Sequence, residues 1–376
     1  MYYFDNASTT QVYSKCEEIF KIYCFEKYFN PSALYRYSTD VKNKVEECRK
    51  VIANSIKANA DEIIFTSSGS ESDNLALFGS KKQKGSRIIS SKAEHSAVYN
   101  SVLELKNRGY EVVFAETNSD GSVNEESLYG LINDNTSLIS IMHVNNQTGA
   151  INNISEISKK AKRINNNLIF HSDGVQAFGK VPFRLDNSNV DLYSASGHKI
   201  HAPKGVGFLY ARKGVKLAPL IYGGGQERGY RSSTENVPSI ISFAYAVEEI
   251  NRKSSDENKN KIKGIAERVL REINDVKIIT DFNNCSPYIL CLAFKGIKSE
   301  VLMHALEKYD IVVGTGSACN SLKGNLRLSE ELKLKDEYSN GIIRISVSEF
   351  NTEKECEFLS DKLIFEYKKL KNIIGG

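Results

Sequence analysis

The chain has no run of about 18 apolar residues, which excludes a hydrophobic transmembrane helix. Its amino terminus, Met1-Tyr-Tyr-Phe-Asp-Asn6, lacks a basic stretch followed by an apolar one. No secretory signal is expected, and a cytoplasmic location follows. The seven cysteines form an odd set without a Cys-x-x-Cys pair, a pattern that fits reduced thiols rather than disulfides. The six histidines are scattered, and no His/Cys group has zinc-ligand spacing, so no metal site is expected. Charge of one sign is also missing. Fifty basic against 46 acidic residues leave a net charge of +4 with no dominant Lys/Arg block, which argues against sequence-independent binding of nucleic acid and for a small-molecule partner. There is no internal repeat and no low-complexity tract.

At 376 residues the chain is long enough to bury a substantial core and is expected to form two domains. From Glu62 to Tyr210, short apolar runs (Ile63–Phe65, Arg87–Ile89, Glu111–Phe114, Leu138–Met142, Leu168–Phe170, Val190–Tyr193, Val206–Tyr210) alternate with helical stretches or loops. That alternation predicts an α/β fold with a doubly wound, mostly parallel sheet. A helix is expected over Val41–Ile56, with Thr39 and Asp40 as start signals. The charged stretch beginning at Asn251 reads as a solvated helix and a domain junction. Strands near Val276–Ile279, Tyr288–Phe294, Ile311–Val313 and Ile342–Ser346, a helix over Glu300–Lys308 and a closing helix from about Thr352 predict a small α+β domain. The expected boundaries are 13–255 for the large domain and 1–12 with 256–376 for the small one.

Asp191-Leu-Tyr-Ser-Ala-Ser-Gly-His-Lys199 ends an apolar strand on a polar turn. A lysine there can point its amine into the crevice at the strand's carboxyl end, where open α/β sheets bind cofactors. Asp173 follows the run Leu168–Phe170 and emerges beside the same crevice. An amine and an acid so placed suit pyridoxal 5′-phosphate (PLP), whose work as an electron sink requires a Schiff-base lysine and a carboxylate that keeps the pyridine nitrogen protonated. Spacing alone leaves Lys199 and Lys204 open. Ser68-Gly69-Ser70 joins a strand to a helix expected near Glu71, and its amides and hydroxyls suit a phosphate. Ser70 with Asp73 also reads as a simple capping box. His95 opens a helix, where an isolated histidine is ordinarily a surface or capping residue. Asn146 and Gln176 are loop amides, and Thr234 lies in a polar segment. Arg344, between apolar neighbours in Ile342-Ile-Arg-Ile-Ser346, is either an exposed edge residue or a buried one with an anionic partner. Cys16, Cys24, Cys48 and Cys356 in helical contexts, and Cys285 and Cys291 near a strand, read as packed apolar residues. Only Cys319, in Gly314-Thr-Gly-Ser-Ala-Cys319, has Gly and Ser neighbours that leave a thiol accessible and reactive.

Eight blocks in order carry a resemblance that runs nearly end to end. They are Phe4-Asp-Asn-Ala-Ser-Thr-Thr10, Thr66-Ser-Ser-Gly-Ser-Glu-Ser-Asp-Asn74, Ala93-Glu-His95, Met142-His-Val-Asn-Asn146, the turns Asp173–Gln176 and Ser196–Lys199, Gly223-Gly-Gly-Gln-Glu-Arg-Gly229 with Arg231-Ser-Ser-Thr234, and Gly316-Ser-Ala-Cys319. The chain resembles the cysteine desulfurases of the class V PLP-dependent aminotransferases, the group I type of nitrogen fixation and iron–sulfur assembly.

The resemblance implies the fold type I architecture of PLP-dependent transferases. It also implies conversion of L-cysteine to L-alanine, with the sulfur left as a persulfide on Cys319 for an acceptor protein in iron–sulfur assembly or tRNA thiolation. It chooses Lys199 over Lys204. Gly69, Ser70, Ser196 and His198 fall where the family grips the PLP phosphate. His95 falls where it stacks on the ring and exchanges protons, and Asn146 and Gln176 where amides meet the substrate carboxylate and ring oxygen. Arg344 falls at the α-carboxylate clamp. Thr234 matches a threonine that reaches the phosphate of the neighbouring subunit, which implies a homodimer.

Three features depart from the family pattern. The segment after Cys319 lacks the usual proline-containing stretch, Ser348-Glu349 replaces the usual small or basic residues, and the chain stops at Lys371–Gly376 with little of the extension that docks an iron–sulfur scaffold. The alternatives are another class V enzyme (a selenocysteine lyase, an aminotransferase or a β-lyase) and a catalytically silent scaffold. Cys319 with its long loop argues against the first, and the intact Lys199, Asp173, His95 and Cys319 set against the second.

Overall fold

In a computed structural model, residues 1–250, 255–315 and 329–374 are described. The strands are β1 (Tyr2–Phe4), β2 (Ile63–Thr66), β3 (Arg87–Ser91), β4 (Glu111–Ala115), β5 (Thr136–Ser140), β6 (Ile169–Asp173), β7 (Leu192–Ser196), β8 (Gly207–Ala211), β9 (Val276–Ile278), β10 (Ile289–Phe294), β11 (Ile311–Thr315) and β12 (Ile342–Ser346). Seven of them form one sheet in the order β2-β8-β7-β6-β5-β3-β4. Its pairings are parallel from β4 to β7, and β8 runs antiparallel to both β7 and β2. Ile88, Ile89, Leu138, Ile139, Phe170, Leu192 and Tyr193 are all buried, as expected where helices cover both faces of a parallel sheet. Strand ends differ from the apolar runs by a few residues: β5 spans Thr136–Ser140 rather than Leu138–Met142.

The helices that concern the site are α1 (Lys15–Lys21), α2 (Arg36–Ser55), α3 (Gly69–Gly79) and α4 (Ser96–Asn107). Helix α2 begins five residues before the expected start. Its first residue follows Tyr35, which has an extended backbone and provides no side-chain cap. The helix is held instead by its buried stripe Val41, Val45, Cys48 and Ile52, so Thr39 and Asp40 are interior residues rather than start signals.

The second sheet has the order β1-β11-β12-β10-β9. Its first strand comes from the extreme amino terminus: Tyr2, Tyr3 and Phe4 pair in parallel with Ile311, Val312 and Val313. Phe4 joins Ile262, Val269, Leu290, Leu292, Phe294, Ile343, Ile345 and Leu363 in a core separate from that of the large sheet. The closing helix Glu353–Ile374 starts where expected, on a reciprocal cap in which Glu355 N–H donates to Thr352 Oγ1 at 3.3 Å and Thr352 N–H to Glu355 Oε2 at 2.8 Å. Of the charged stretch, Asn251–Ser254 lies outside the described residues, and a helix runs from Asp256 to Glu272. From Asp5 to Tyr13 the chain crosses from the small sheet to the large one, where Thr10 N–H donates to His198 O and Tyr13 N–H to His201 O, both at 3.0 Å.

Candidate active site

Strands β2, β3, β5, β6 and β7 run in the same direction, so their carboxyl ends lie along one edge of the sheet. The connections that leave those ends carry Gly69 and Ser70, His95, Asn146, Asp173 and Gln176, and Ser196 to Lys199. The chain steps outward from β3 to β4 and returns on the other side as β5. This reversal opens the crevice in which doubly wound sheets hold ligands.

Asp173 is the last residue of β6 and is buried; its Oδ1 accepts the Val175 N–H at 2.9 Å. Beside it lies a carboxylate that sequence reasoning missed. In the sequence Asp73 makes half of a capping box with Ser70, but in the structure it sits fully inside, on the third position after the helix's second residue. The Asp73, His95 and Asp173 ligand atoms lie within 4.8 Å of one another. The true N-cap is Ser68, whose Oγ accepts the Glu71 N–H at 3.1 Å, and α3 begins at Gly69 rather than near Glu71. This earlier start turns Asp73 toward β6.

Burial pushes the Asp73 carboxyl well above the usual range, and the Asp173 charge adds to the effect. Burial raises Asp173 too, opposed by the nearby His95 and Lys199 side chains and by the Val175 N–H. His171, 3.6 Å from Asp73, is held at about 3 by burial and is therefore neutral, with Ser140 Oγ at 2.8 Å and Ser194 Oγ at 3.0 Å on its two nitrogens. Two desolvated carboxylates side by side, only partly offset by His95 and Lys199, form a site that favours a protonated, positively charged group. His95 caps α4, its Nδ1 accepting the Ala97 N–H at 3.2 Å.

Lys199 follows β7 in a single turn, and its amine donates to the carbonyls of Ala7 at 2.8 Å and Ser8 at 2.5 Å. Lys204 is exposed beside Gly205, whose φ of +87° marks a turn. Gln176 Nε2 reaches the same Ala7 carbonyl at 2.7 Å, and His198 Nδ1 lies 3.1 Å from Thr9 Oγ1. Lys180 is buried behind Gln176, its amine 3.4 Å from Oε1; burial, with Lys199 and Arg344 nearby, brings its pKa down to about 7.

At the amino end of α3, Gly69 permits a close approach. A Cβ there would meet Val175 Cγ2 at 2.5 Å, so the helix end packs directly on the β6 turn. The Ser196 hydroxyl next to it is buried without a hydrogen-bond partner among the described residues. A helix amino terminus, an exposed Ser70 and an orphaned buried hydroxyl form a donor set that fits a phosphate. Glu71, which accepts Ser67 N–H at 2.9 Å and Arg231 Nε–H at 2.8 Å, ties this end to the segment carrying Thr234, itself exposed.

Arg344 is buried, so the edge-strand alternative falls. Its anionic partner is Asp5, at 2.7 Å from Nη2, and Nη1 donates to the Asn146 backbone carbonyl at 2.8 Å. Asp5 was visible only as part of the block Phe4–Thr10. Cys319 lies outside the described residues. Cys16, Cys48, Cys285, Cys291 and Cys356 are buried as expected, whereas Cys24 is exposed, in a short helical turn at Ile22–Glu26 rather than in the core.

The aminotransferase class-V family model matches residues 2–359. The chain belongs to that family. Cysteine desulfurase IscS of Dictyoglomus turgidum is 36% identical over 380 residues, which cover 99% of this chain and 95% of that one. Among solved structures, a NifS-like protein superposes with a TM-score of 0.90 at 33% identity over 97% of this chain and 99% of its own. SspA, solved in complex with cysteine, gives a TM-score of 0.82 at 29% identity over 94% of this chain and all of its own (100%). This family member has no helix, among the described residues, long and apolar enough to cross a membrane.

Proposed function

We propose that the chain is a PLP-dependent cysteine desulfurase that converts L-cysteine to L-alanine and passes the sulfur from Cys319 to an acceptor protein. The observation that carries the reading is that Asp173 and Lys199 leave the carboxyl ends of the adjacent strands β6 and β7, Lys199 close enough to act electrostatically on Asp173, with the buried Asp73 carboxylate beside them. The near full-length likeness to proteins named cysteine desulfurase supports it.

Lys199 would hold the cofactor covalently, and Asp173 would keep a proton on its ring nitrogen. His95 would stack on the ring, Gln176 would meet the ring oxygen, and Gly69, Ser70, Ser196 and His198 would take the phosphate. PLP, when bound, supplies an electron sink for charge that develops at the substrate α-carbon. Arg344 and Asn146 orient the substrate by its carboxylate. The freed Lys199 amine takes the α-proton, and His95 exchanges protons with the substrate. The Cys319 thiolate then attacks the substrate sulfur: an S–S bond forms, the C–S bond breaks with its electron pair left on carbon, and a proton returned to that carbon completes alanine. Holding the thiolate in line with the sulfur is a positioning effect worth up to ~7–11 kcal/mol in well-oriented systems.

The same reading makes the protein a cytoplasmic homodimer in which Thr234 reaches the phosphate across the subunit boundary; the exposure of Thr234 supports this. It divides the chain into a large domain, 13–255, and a small one, 1–12 with 256–376, which the two separate cores support. The acceptor is an iron–sulfur scaffold or a thiolation protein. Lys199→Ala is the direct test of the cofactor site. Borohydride treatment should fix PLP to the peptide containing Lys199 in the wild type and to no peptide in the variant, with turnover lost. Retention of a reducible adduct in the variant would overturn the assignment.

A further inference from the structure

The Arg344 guanidinium offers five N–H donors in a fixed fork. One on Nη1 is taken by the Asn146 carbonyl at 2.8 Å and one on Nη2 by Asp5 Oδ1 at 2.7 Å. The Nε–H is buried and has no acceptor among the described residues. The edge formed by Nε and Nη2 is one that a carboxylate grips with both oxygens. Asp5 occupies its Nη2 end, and Gly314 keeps the space beside the edge clear of side chain: a Cβ there would lie 2.7 Å from Asp5 Oδ1, 3.0 Å from Nε and 3.1 Å from Nη2.

We propose that Asp5 is a specificity-determining residue: an internal carboxylate that occupies the Arg344 clamp and is displaced only by a ligand whose own carboxylate bridges Nε and Nη2. The proposal rests on the reading of Arg344 as the substrate clamp. Asp5 is suited to yield because its bond is one-handed. It serves Nη2 and leaves Nε unsatisfied, so an incoming carboxylate that serves both gains a charge-assisted hydrogen bond the resting arrangement lacks. Asp5 is also partly exposed, with 15% of its side chain accessible, whereas Arg344 is buried. The carboxylate can therefore swing toward solvent while the guanidinium stays. Displacement lowers apparent affinity for every amino acid, yet it excludes amines without a carboxylate, such as cysteamine, which cannot restore a partner to the buried cation.

Asp5→Asn keeps the shape but removes the charge, and Asp5→Ser serves as a second variant should the first fold poorly. On the PLP-loaded enzyme, the KM for L-cysteine should fall by about fivefold in either variant, because the competitor that reduces the binding-competent fraction is weakened. Added L-alanine should raise the melting temperature more in the Asp5 variants than in the wild type, as the ligand carboxylate supplies the missing counter-ion. In an Arg344→Ala background, the Asp5 substitution should change neither quantity. A rise in KM for both Asp5 variants, with Arg344→Ala also raising KM, would overturn the competition while leaving the clamp intact. An Arg344→Ala enzyme with unchanged KM would remove the clamp and the proposal together.

Discussion

Ser196 and Asp73 show how the site is specified one residue at a time. The Ser196 hydroxyl is buried beside the amino end of α3 with nothing among the described residues to bond. An unpaired buried hydroxyl costs about 1–3 kcal/mol, and a bond to a charged group contributes about 1.5–3 kcal/mol. Ser196→Ala should therefore weaken PLP retention about tenfold or more in a dialysis assay while leaving the cofactor-free protein as stable as the wild type or more so. Equal losses in both forms would make the hydroxyl structural. Asp73 leads to a prediction in pH. Its folded-state pKa is raised, so the stability it contributes is complete below the ordinary carboxyl value of about 3.9 and is lost as pH rises toward the folded value. Asp73→Asn mimics the protonated acid. In cofactor-free protein it should match the wild type in acid and exceed it in melting temperature increasingly toward neutral pH. A difference that does not change with pH would contradict the desolvated pair.

Between elements, one buried ion pair links the core to the loop that carries Thr234. Arg49 on α2 donates through Nη1 and Nη2 to Glu227 at 2.7 and 2.8 Å, and Glu227 Oε2 also accepts the Phe65 N–H of β2 at 2.8 Å. Glu227 and Arg228 have φ of +48° and +58°, conformations that non-glycine residues hold only under such restraint. Arg49→Met leaves Glu227 buried and unpaired, and urea unfolding should report a loss of about 3–5 kcal/mol, partly recovered by adding Glu227→Gln. The elements themselves were largely legible. Seven apolar runs became the strands of the large sheet, and the parallel ones inside it, β3, β5, β6 and β7, are buried along nearly their whole length, which leaves an almost unbroken hydrophobic signature. Where the reading slipped, local signals competed with packing: Thr39-Asp40 imitates a helix start inside α2, and Ser70 with Asp73 imitates a cap whose real oxygen is Ser68.

At the scale of the whole molecule, residues 5–13 join the two sheets and touch both halves of the site. Asp5 meets Arg344 on β12, and Ala7 and Ser8 meet Lys199 after β7. Such contacts between the chain's first residues and positions some 190 to 340 further on have no local periodicity, so no pattern in the sequence could announce them. Strand ends and a charge inside an apolar strand are local features, so Asp173, the Lys199/Lys204 segment and Arg344 stood out as candidates, while the choice of Lys199 over Lys204 came from the family resemblance. The central claim is that this assembly moves sulfur from cysteine to Cys319. Its most direct test is mass spectrometry of the PLP-loaded protein after brief exposure to L-cysteine without reductant, with alanine measured in the same sample. The account predicts one added sulfur on the peptide containing Cys319, alanine in equal amount, and loss of both in Cys319→Ser. Sulfur on a different cysteine, or undiminished alanine from Cys319→Ser, would contradict it.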